Sequence, residues 1–368
     1  MTRTKTFKIT SVLFILVCLI IPQSVRSADQ GIQNRPIPLG TSGGNIDDSS
    51  RFFCCGGTLG SLVQDTTGVQ YILSNNHVLA KTNSGFIGEA IIQPGLIDQN
   101  PGCFKDHHDA VANLSDFVPI SFRRNTVNRV DAAIAEAQTG QVDPSGFILN
   151  IGEVSNAIAA PFLGMPVRKN GRTSGLTTGT ITAIDVTVDI QYGRQCGINT
   201  FPRTARFTSQ IMIGPGDFSG SGDSGSLIVE DCSPFPRPVG LLFAGSDTNT
   251  LANPIGDILS ELEVSMVGRD DFCSSSSTAT AAIKTAAPLT RVNPADMENV
   301  IKVKRRNEEN ILKKGPHGIG VGISDTEQGR PIIEVYIKKP AHGMRYVIPE
   351  KIEDIPVKIV ETDVFVAY

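Results

Sequence analysis

Gly220-Ser221-Gly222-Asp223-Ser224-Gly225-Ser226-Leu227-Ile228-Val229 is the stretch on which the reading of this chain turns. A serine sits in a glycine-rich turn immediately before an apolar run that suits a buried strand. A hydroxyl so presented is a candidate nucleophile. It is a weak one near neutral pH, so it needs an adjacent base.

Two upstream segments supply the missing groups. In Tyr71-Ile72-Leu73-Ser74-Asn75-Asn76-His77-Val78-Leu79 a strand runs into a turn that presents a histidine. In Val130-Asp131-Ala132-Ala133-Ile134-Ala135 a lone acid opens an apolar strand and should be partly buried. Imidazole, with an ordinary pKa of about 6.5, can take the serine proton and return it to a leaving amine. A carboxylate on its second nitrogen fixes the tautomer and stabilises the imidazolium. The glycines around Ser224 let backbone N–H groups converge on one point, and Gly222 and Ser224 are the expected oxyanion donors. Asp109, in Asp109-Ala110-Val111, competes with Asp131 for the acid's place. Asp131 is preferred because the strand after it is more apolar.

With these residues in view, the chain resembles the chymotrypsin-like serine peptidases. Gly222-Asp223-Ser224-Gly225 is similar to the family's nucleophile motif, Cys55-Gly56-Gly57-Thr58-Leu59 to the strand before its histidine, and Val130–Ile134 to its aspartate strand. The order His, Asp, Ser agrees as well. Gly171-Arg172-Thr173-Ser174-Gly175-Leu176-Thr177-Thr178-Gly179 resembles a second-barrel segment of bacterial members such as streptogrisins. The likeness spans roughly residues 50–270. It implies an all-β body of two six-stranded antiparallel β-barrels, His77, Asp131 and Ser224 as catalytic triad in the cleft between them, and a protein or peptide substrate, with no cofactor or metal. It places Phe218 at the base of the substrate pocket with Phe243 and Gly245 on its wall. The base lacks an acid, so an apolar or small residue is expected there rather than Lys or Arg. Val78 and Gly220 stand where animal enzymes carry cysteines. There is no Ile-Val-Gly-Gly activation sequence, so Asp223 needs a cation other than a freed N-terminus, with Arg172 or another arginine the candidate.

The rest of the sequence sets the context. Among 368 residues, 33 Lys and Arg stand against 37 Asp and Glu, a net charge of -4 that argues against nucleic acid as a partner. Arg3, Lys5 and Lys8 precede an apolar run from Val12 to Ile21, and small residues near Ser27 complete a signal peptide over 1–27. Secretion, to the outside or the periplasm, and no membrane anchor after cleavage are expected. Six cysteines follow (Cys54, Cys55, Cys103, Cys196, Cys232 and Cys273), an even set that suits disulfides whose pairing stays open. Cys103, Asp106, His107, His108 and Asp109 cluster in ligand types but match no strong zinc spacing, and Cys103 is read as a disulfide partner.

Residues 28–50 read as an N-terminal arm, 51–155 and 156–273 as the two barrels, and the Ser/Thr/Ala-rich 274–288 as a linker. Leu259–Val267 reads as a short closing helix. Residues 289–368 form a separate α+β domain. It has a helix over Asn293–Leu312, paired strands at Gly318–Ile323 and Pro331–Ile337, and a third strand at Ile355–Val360. It is similar to a domain that accompanies some of these proteins, often on the peptidase's other side. Its basic residues Lys302, Lys304, Arg305, Arg306, Lys313 and Lys314 read first as a solvated helix face, with intramolecular docking on the acidic body as the other reading. A catalytically silent binding module and an esterase with the same triad are the alternative functions.

Overall fold

The computed structural model of the chain describes residues 29–50, 53–193, 202–273, 292–327, 329–338 and 346–368. The signal peptide, the linker and Cys196 lie outside the described residues.

The first sheet closes on itself. β1 (Thr41–Asn45) pairs antiparallel with β2 (Gly57–Leu59), and a single residue, Gly60, separates β2 from β3 (Ser61–Gln64). From β3 the antiparallel pairings run through β4 (Gln70–Ser74), β7 (Ala133–Ala137), β6 (Ala110–Phe117) and β5 (Ala90–Ile92), and so back to β1. With β2 and β3 taken as one kinked strand, six strands complete the ring. The kink is enforced: a Cβ on Gly60 would lie 1.9 Å from the carbonyl oxygen of Gly225. Leu62, Ile72, Leu73, Val111, Ala133 and Ala135 fill the interior. Each large aliphatic buried there contributes roughly 1.5–3 kcal/mol.

A second ring follows. β8 (Pro166–Gly171) pairs with β9 (Gly175–Tyr192), β9 with β10 (Arg203–Gly214), β10 with β13 (Thr250–Pro254), β13 with β12 (Pro238–Gly245), β12 with β11 (Leu227–Glu230), and β11 with β8. Again six antiparallel strands close, around Val167, Ile181, Ile213, Ile228 and Leu242. β9 is a single strand of 18 residues. With β10 it projects as a hairpin whose aromatic residues Tyr192 and Phe207 join Phe243 in a separate core.

Two expectations need correction. Residues 28–50 are more than an arm, because β1 is a wall of the first ring. The closing helix sits earlier than expected, as α2 (Ile255–Glu261). β14 (Ser265–Met266) then returns to pair with β3 of the first sheet.

The C-terminal elements fall where the sequence put them. Asn293 caps α3 (Pro294–Leu312), its side chain accepting from the N–H of Ala295. β15 (Gly318–Ile323) pairs with β16 (Pro331–Ile337), β16 runs parallel to β18 (Ile355–Glu361), and β17 (Lys351–Ile352) flanks β18. Val300, Val303 and Ile311 of α3 pack on Ile319, Val321, Ile333 and Val335. β15 also pairs antiparallel with β9, so one sheet continues from the second ring into this region. The basic helix is not simply a solvated face. Lys304 is buried, 3.3 Å from Asp185 of β9 and 2.6 Å from Glu308, and Arg305 reaches Asp185 at 2.6 Å.

Cys54 bonds to Cys103 and Cys232 to Cys273, and Cys55 is disulfide-bonded too. No helix of the described residues is long and apolar enough to cross a membrane.

Candidate active site

β4 carries the chain to Asn75, which stays extended and caps the one-turn helix α1 (Asn76–Leu79), so His77 lies one residue inside it. Two buried amides pin the turn: Asn75 Nδ2 donates to the Asp131 carbonyl and Asn76 Nδ2 to the Val118 carbonyl, both at 2.7 Å. Asp131 lies just ahead of β7 and is fully buried. Its backbone N–H donates to Asn253 Oδ1 at 2.9 Å. Its carboxylate meets His77 Nδ1 at 2.6 Å and accepts from the His77 backbone N–H at 3.2 Å. A third donor comes from the hairpin: Tyr192 hydroxyl to Asp131 Oδ2 at 2.8 Å. Burial and the neighbouring carboxylate push the Tyr192 pKa well up, so the phenol remains a donor.

His77 Nε2 faces the cleft, where the backbone carbonyl of Tyr368 lies 3.0 Å away. Burial pushes the His77 pKa down, but the Asp131 carboxylate outweighs it with help from the Tyr368 carbonyl and Asp48, leaving it raised from 6.5. The hydrogen bonds agree. Both ring nitrogens face oxygens that accept, an arrangement that favours the doubly protonated ring.

Ser224 is fully buried, behind the cleft-lining Ser221 and Gly222 in sequence. Its Oγ donates to the Phe243 carbonyl at 3.2 Å rather than to His77. The loop around it is locked from both rings. Thr58 N–H donates to the Ser224 carbonyl at 2.8 Å, and Thr58 Oγ1 to the Gly222 carbonyl at 3.0 Å. Gly222 has φ +100°, and a Cβ there would lie 2.6 Å from Arg172 Nη1, so glycine is required. Among the described residues, neither the Gly222 nor the Ser224 N–H donates a hydrogen bond.

Asp223 holds this loop from beneath, and its cation is Lys169, not the arginine considered from sequence. Lys169 Nζ lies 3.2 Å from Asp223 Oδ2, with both side chains fully buried. The N–H groups of Thr173, Ser174 and Gly220 donate to the same carboxylate at 2.8, 3.1 and 2.9 Å. Arg172 is engaged elsewhere, in a two-pronged pair with Asp98 at 2.5 and 2.7 Å.

The pocket residues separate. Phe218 is buried and packs in the cluster that the Tyr368 ring joins. Gly245 faces that ring closely, since a Cβ there would lie 2.1 Å from the Tyr368 hydroxyl. The Phe243 side chain turns away, onto Phe207 at 4.9 Å, and only its carbonyl serves the site. Asp109 is away from His77 and accepts from Gln99 Nε2 at 2.9 Å. Glu230, Cys232 and Cys273 form a close ligand-type group, but the two cysteines are bonded to each other and offer no thiolate; Cys103 is likewise bonded, to Cys54.

Sequence reasoning missed Lys169, Tyr192 and Tyr368. Lys169, two residues before the Gly171–Gly179 motif, offered a weak signal as a charge inside a strand pattern. Tyr192 and Tyr368 had none, because their contacts with Asp131 and His77 span 61 and 291 residues.

No protein-family model matches the chain, and no curated protein matches it in sequence. Solved structures do. A glutamic-acid-specific serine protease that uses a histidine triad in substrate binding is 18% identical, with TM-score 0.42, over 62% of this chain and 100% of that one. Thermobifida fusca protease A is 15% identical, with TM-score 0.39, over 63% and 98%. Cellulomonas bogoriensis chymotrypsin is 18% identical, with TM-score 0.38, over 63% and 98%. The chain's structural neighbours are thus bacterial chymotrypsin-like serine proteases, and at these identities the likeness concerns the fold.

Proposed function

We propose that the protein is a secreted serine endopeptidase that works through an acyl-enzyme, with Ser224 as nucleophile, His77 as general base and acid, and Asp131 as the group that orients and stabilises the imidazolium. The observation that carries this reading is the His77–Asp131 contact at 2.6 Å, with Ser224 Oγ on the Phe243 carbonyl, which also accepts from the N–H of the Tyr368 whose backbone oxygen meets His77. In this reaction Ser224 Oγ bonds to the scissile carbonyl carbon and its proton passes to His77 Nε2. The oxyanion accepts from the Gly222 and Ser224 N–H groups. Collapse breaks the C–N bond, His77 protonates the departing amine, and water repeats the sequence to free the acid and restore Ser224. The cycle requires the Tyr368 carbonyl to leave Nε2 and Ser224 Oγ to turn from Phe243 towards it.

Disulfide-bonded cysteines support export, and residues 1–27 are the proposed signal. Residues 51–155 and 156–273 are the proposed peptidase halves, with 289–368 docked on the β9–β10 hairpin as a separable domain.

Labelling with a fluorophosphonate is the test. Labelling of the purified oxidised protein that disappears in Ser224→Ala supports an activated serine. A folded protein that never labels, at any pH and with the C-terminal tail displaced, rejects it. Turnover of peptide against ester substrates separates peptidase from esterase.

A further inference from the structure

The last four residues lie in the cleft in the manner of a bound peptide. β19 (Val366–Ala367) runs antiparallel to β12, with Ala367 opposite Ala244 and Val366 opposite Gly245. Val366 also pairs with Gln191 of β9, whose N–H donates to the Phe365 carbonyl at 2.9 Å. The Tyr368 N–H donates to the Phe243 carbonyl at 3.4 Å, and the Tyr368 carbonyl meets His77 Nε2 at 3.0 Å. An extended segment is thus laid on the strand beside the nucleophile, its final carbonyl at the general base. That is the geometry of the acyl half of a substrate.

The side chains show what the cleft selects. The Tyr368 ring enters the slot floored by Phe218 and edged by Gly245, and its hydroxyl donates to the Ser246 carbonyl at 3.4 Å. Burial pushes the Tyr368 pKa up while a hydrogen bond with Ser219 pulls it back, so the slot ends in polar groups around an otherwise apolar wall. A flat aromatic body with one hydroxyl at its tip is what such a slot accommodates. An acidic side chain would be opposed there by Asp223 and Asp247, whose carboxylates act on the Tyr368 hydroxyl.

The segment is also anchored from behind. Phe365 is fully buried, edge-on to Tyr336 of β16 at 6.2 Å and to His317 at 5.4 Å. Two residues, Val366 and Ala367, join that anchor to Tyr368, so seating the C-terminal sheet on β9 sets the register of the tail in the cleft.

Resting on the proposed peptidase activity, we infer that Phe365–Tyr368 is an intramolecular occupant of the acyl-side subsites, and that the primary pocket selects a large aromatic residue, tyrosine foremost, which narrows the apolar or small residue expected from sequence. The tail holds the site closed and the C-terminal region holds the tail. A short tether gives an effective concentration in the millimolar range. For a segment that binds as a free peptide at about 0.1 mM, such a tether closes the site roughly ten-fold.

The test uses the full-length oxidised protein beside full-length Tyr368→Gly and Gly245→Val, each checked for folding by far-UV circular dichroism. Fluorophosphonate labelling rates and turnover of peptide anilides ending in Tyr, Ala, Glu or Arg are measured on all three. Tyr368→Gly should label about ten-fold faster than wild type and prefer Tyr over Ala, Glu and Arg by about 100-fold. Gly245→Val, whose new side chain meets the ring, should label faster but lose turnover of the Tyr substrate selectively. Acetyl-Phe-Val-Ala-Tyr should inhibit Tyr368→Gly, and the same peptide ending in Glu should not. Equal labelling of wild type and Tyr368→Gly overturns the occupant and leaves the peptidase reading standing. Faster labelling with a preference for Ala, Glu or Arg overturns the pocket assignment. Absence of labelling in all three folded proteins overturns the peptidase reading and this inference with it.

Discussion

Replacing Lys169 by Met should unlock the nucleophile loop. The ammonium is 3.2 Å from Asp223, and both side chains have no solvent exposure. Burial pushes the Lys169 pKa below 10.5, with Asp223 only partly restoring it, which marks a charge held away from water at a cost. Removing one member of such a pair typically costs about 3–5 kcal/mol, because the survivor is left buried and uncompensated. Asp223 keeps three backbone N–H donors and the Ser174 hydroxyl, so the lower end, about 3 kcal/mol, is expected. Met matches the stem of Lys closely enough that little of this is a cavity effect. The loop Gly220–Gly225 presents both proposed oxyanion donors, so the labelling rate of Ser224 should fall by about 100-fold. Urea unfolding followed by far-UV circular dichroism measures the first quantity, the chain having no tryptophan to report by fluorescence. Lys169→Met/Asp223→Asn should recover much of the stability, since neither charge is then stranded. A loss below about 1 kcal/mol with unchanged labelling would refute the argument that this pair holds the loop.

Three other outcomes are expected. Tyr192→Phe removes one of three donors to Asp131 and should lower the Ser224 labelling rate about ten-fold, with little change in substrate KM and in stability; unchanged labelling would make the contact merely structural. Cys54→Ser/Cys103→Ser opens a loop of sequence separation 49 and should cost about 4 kcal/mol in urea unfolding. The hold of the tail should weaken with rising pH. His77 donates to both Asp131 and the Tyr368 carbonyl only when protonated, with Tyr192 and Asp48 the other titratable groups facing it, so its raised pKa favours the closed state below 6.5 and loses that advantage as pH passes the raised value. The ratio of labelling rates, Tyr368→Gly over wild type, should therefore shrink as pH rises from below 6.5 through the raised His77 pKa; a constant ratio would count against it.

Much of the architecture was legible before folding. Apolar runs at 71–73, 132–135 and 227–229 marked strands found within a few residues of those bounds. Helical periodicity placed α3, and short strand patterns placed β15 and β16, almost to the residue. Such signals are local, because strand and helix periods are written in neighbouring side chains. Where local chemistry was ambiguous the reading slipped. The glycine-rich Thr41–Asn45 looked like loop and became a barrel wall, since backbone pairing with β2 and β5 asks little of its side chains. Lys304 looked solvated until Asp185 met it from a strand 119 residues away.

The sequence by itself determined that a histidine, an acid and a serine occur in order on strand-end turns, and that glycines open the space before the serine. Those features depend on residue type and short spacing, which a chain carries unfolded. Only the tertiary structure decided which cation neutralises Asp223, that a tyrosine from a distant hairpin supports Asp131, and that the chain's own tail lies against His77. Each of these is a contact between segments far apart in sequence, chosen by ring closure and sheet pairing, and no local pattern encodes which buried charge or hydroxyl arrives within hydrogen-bond reach.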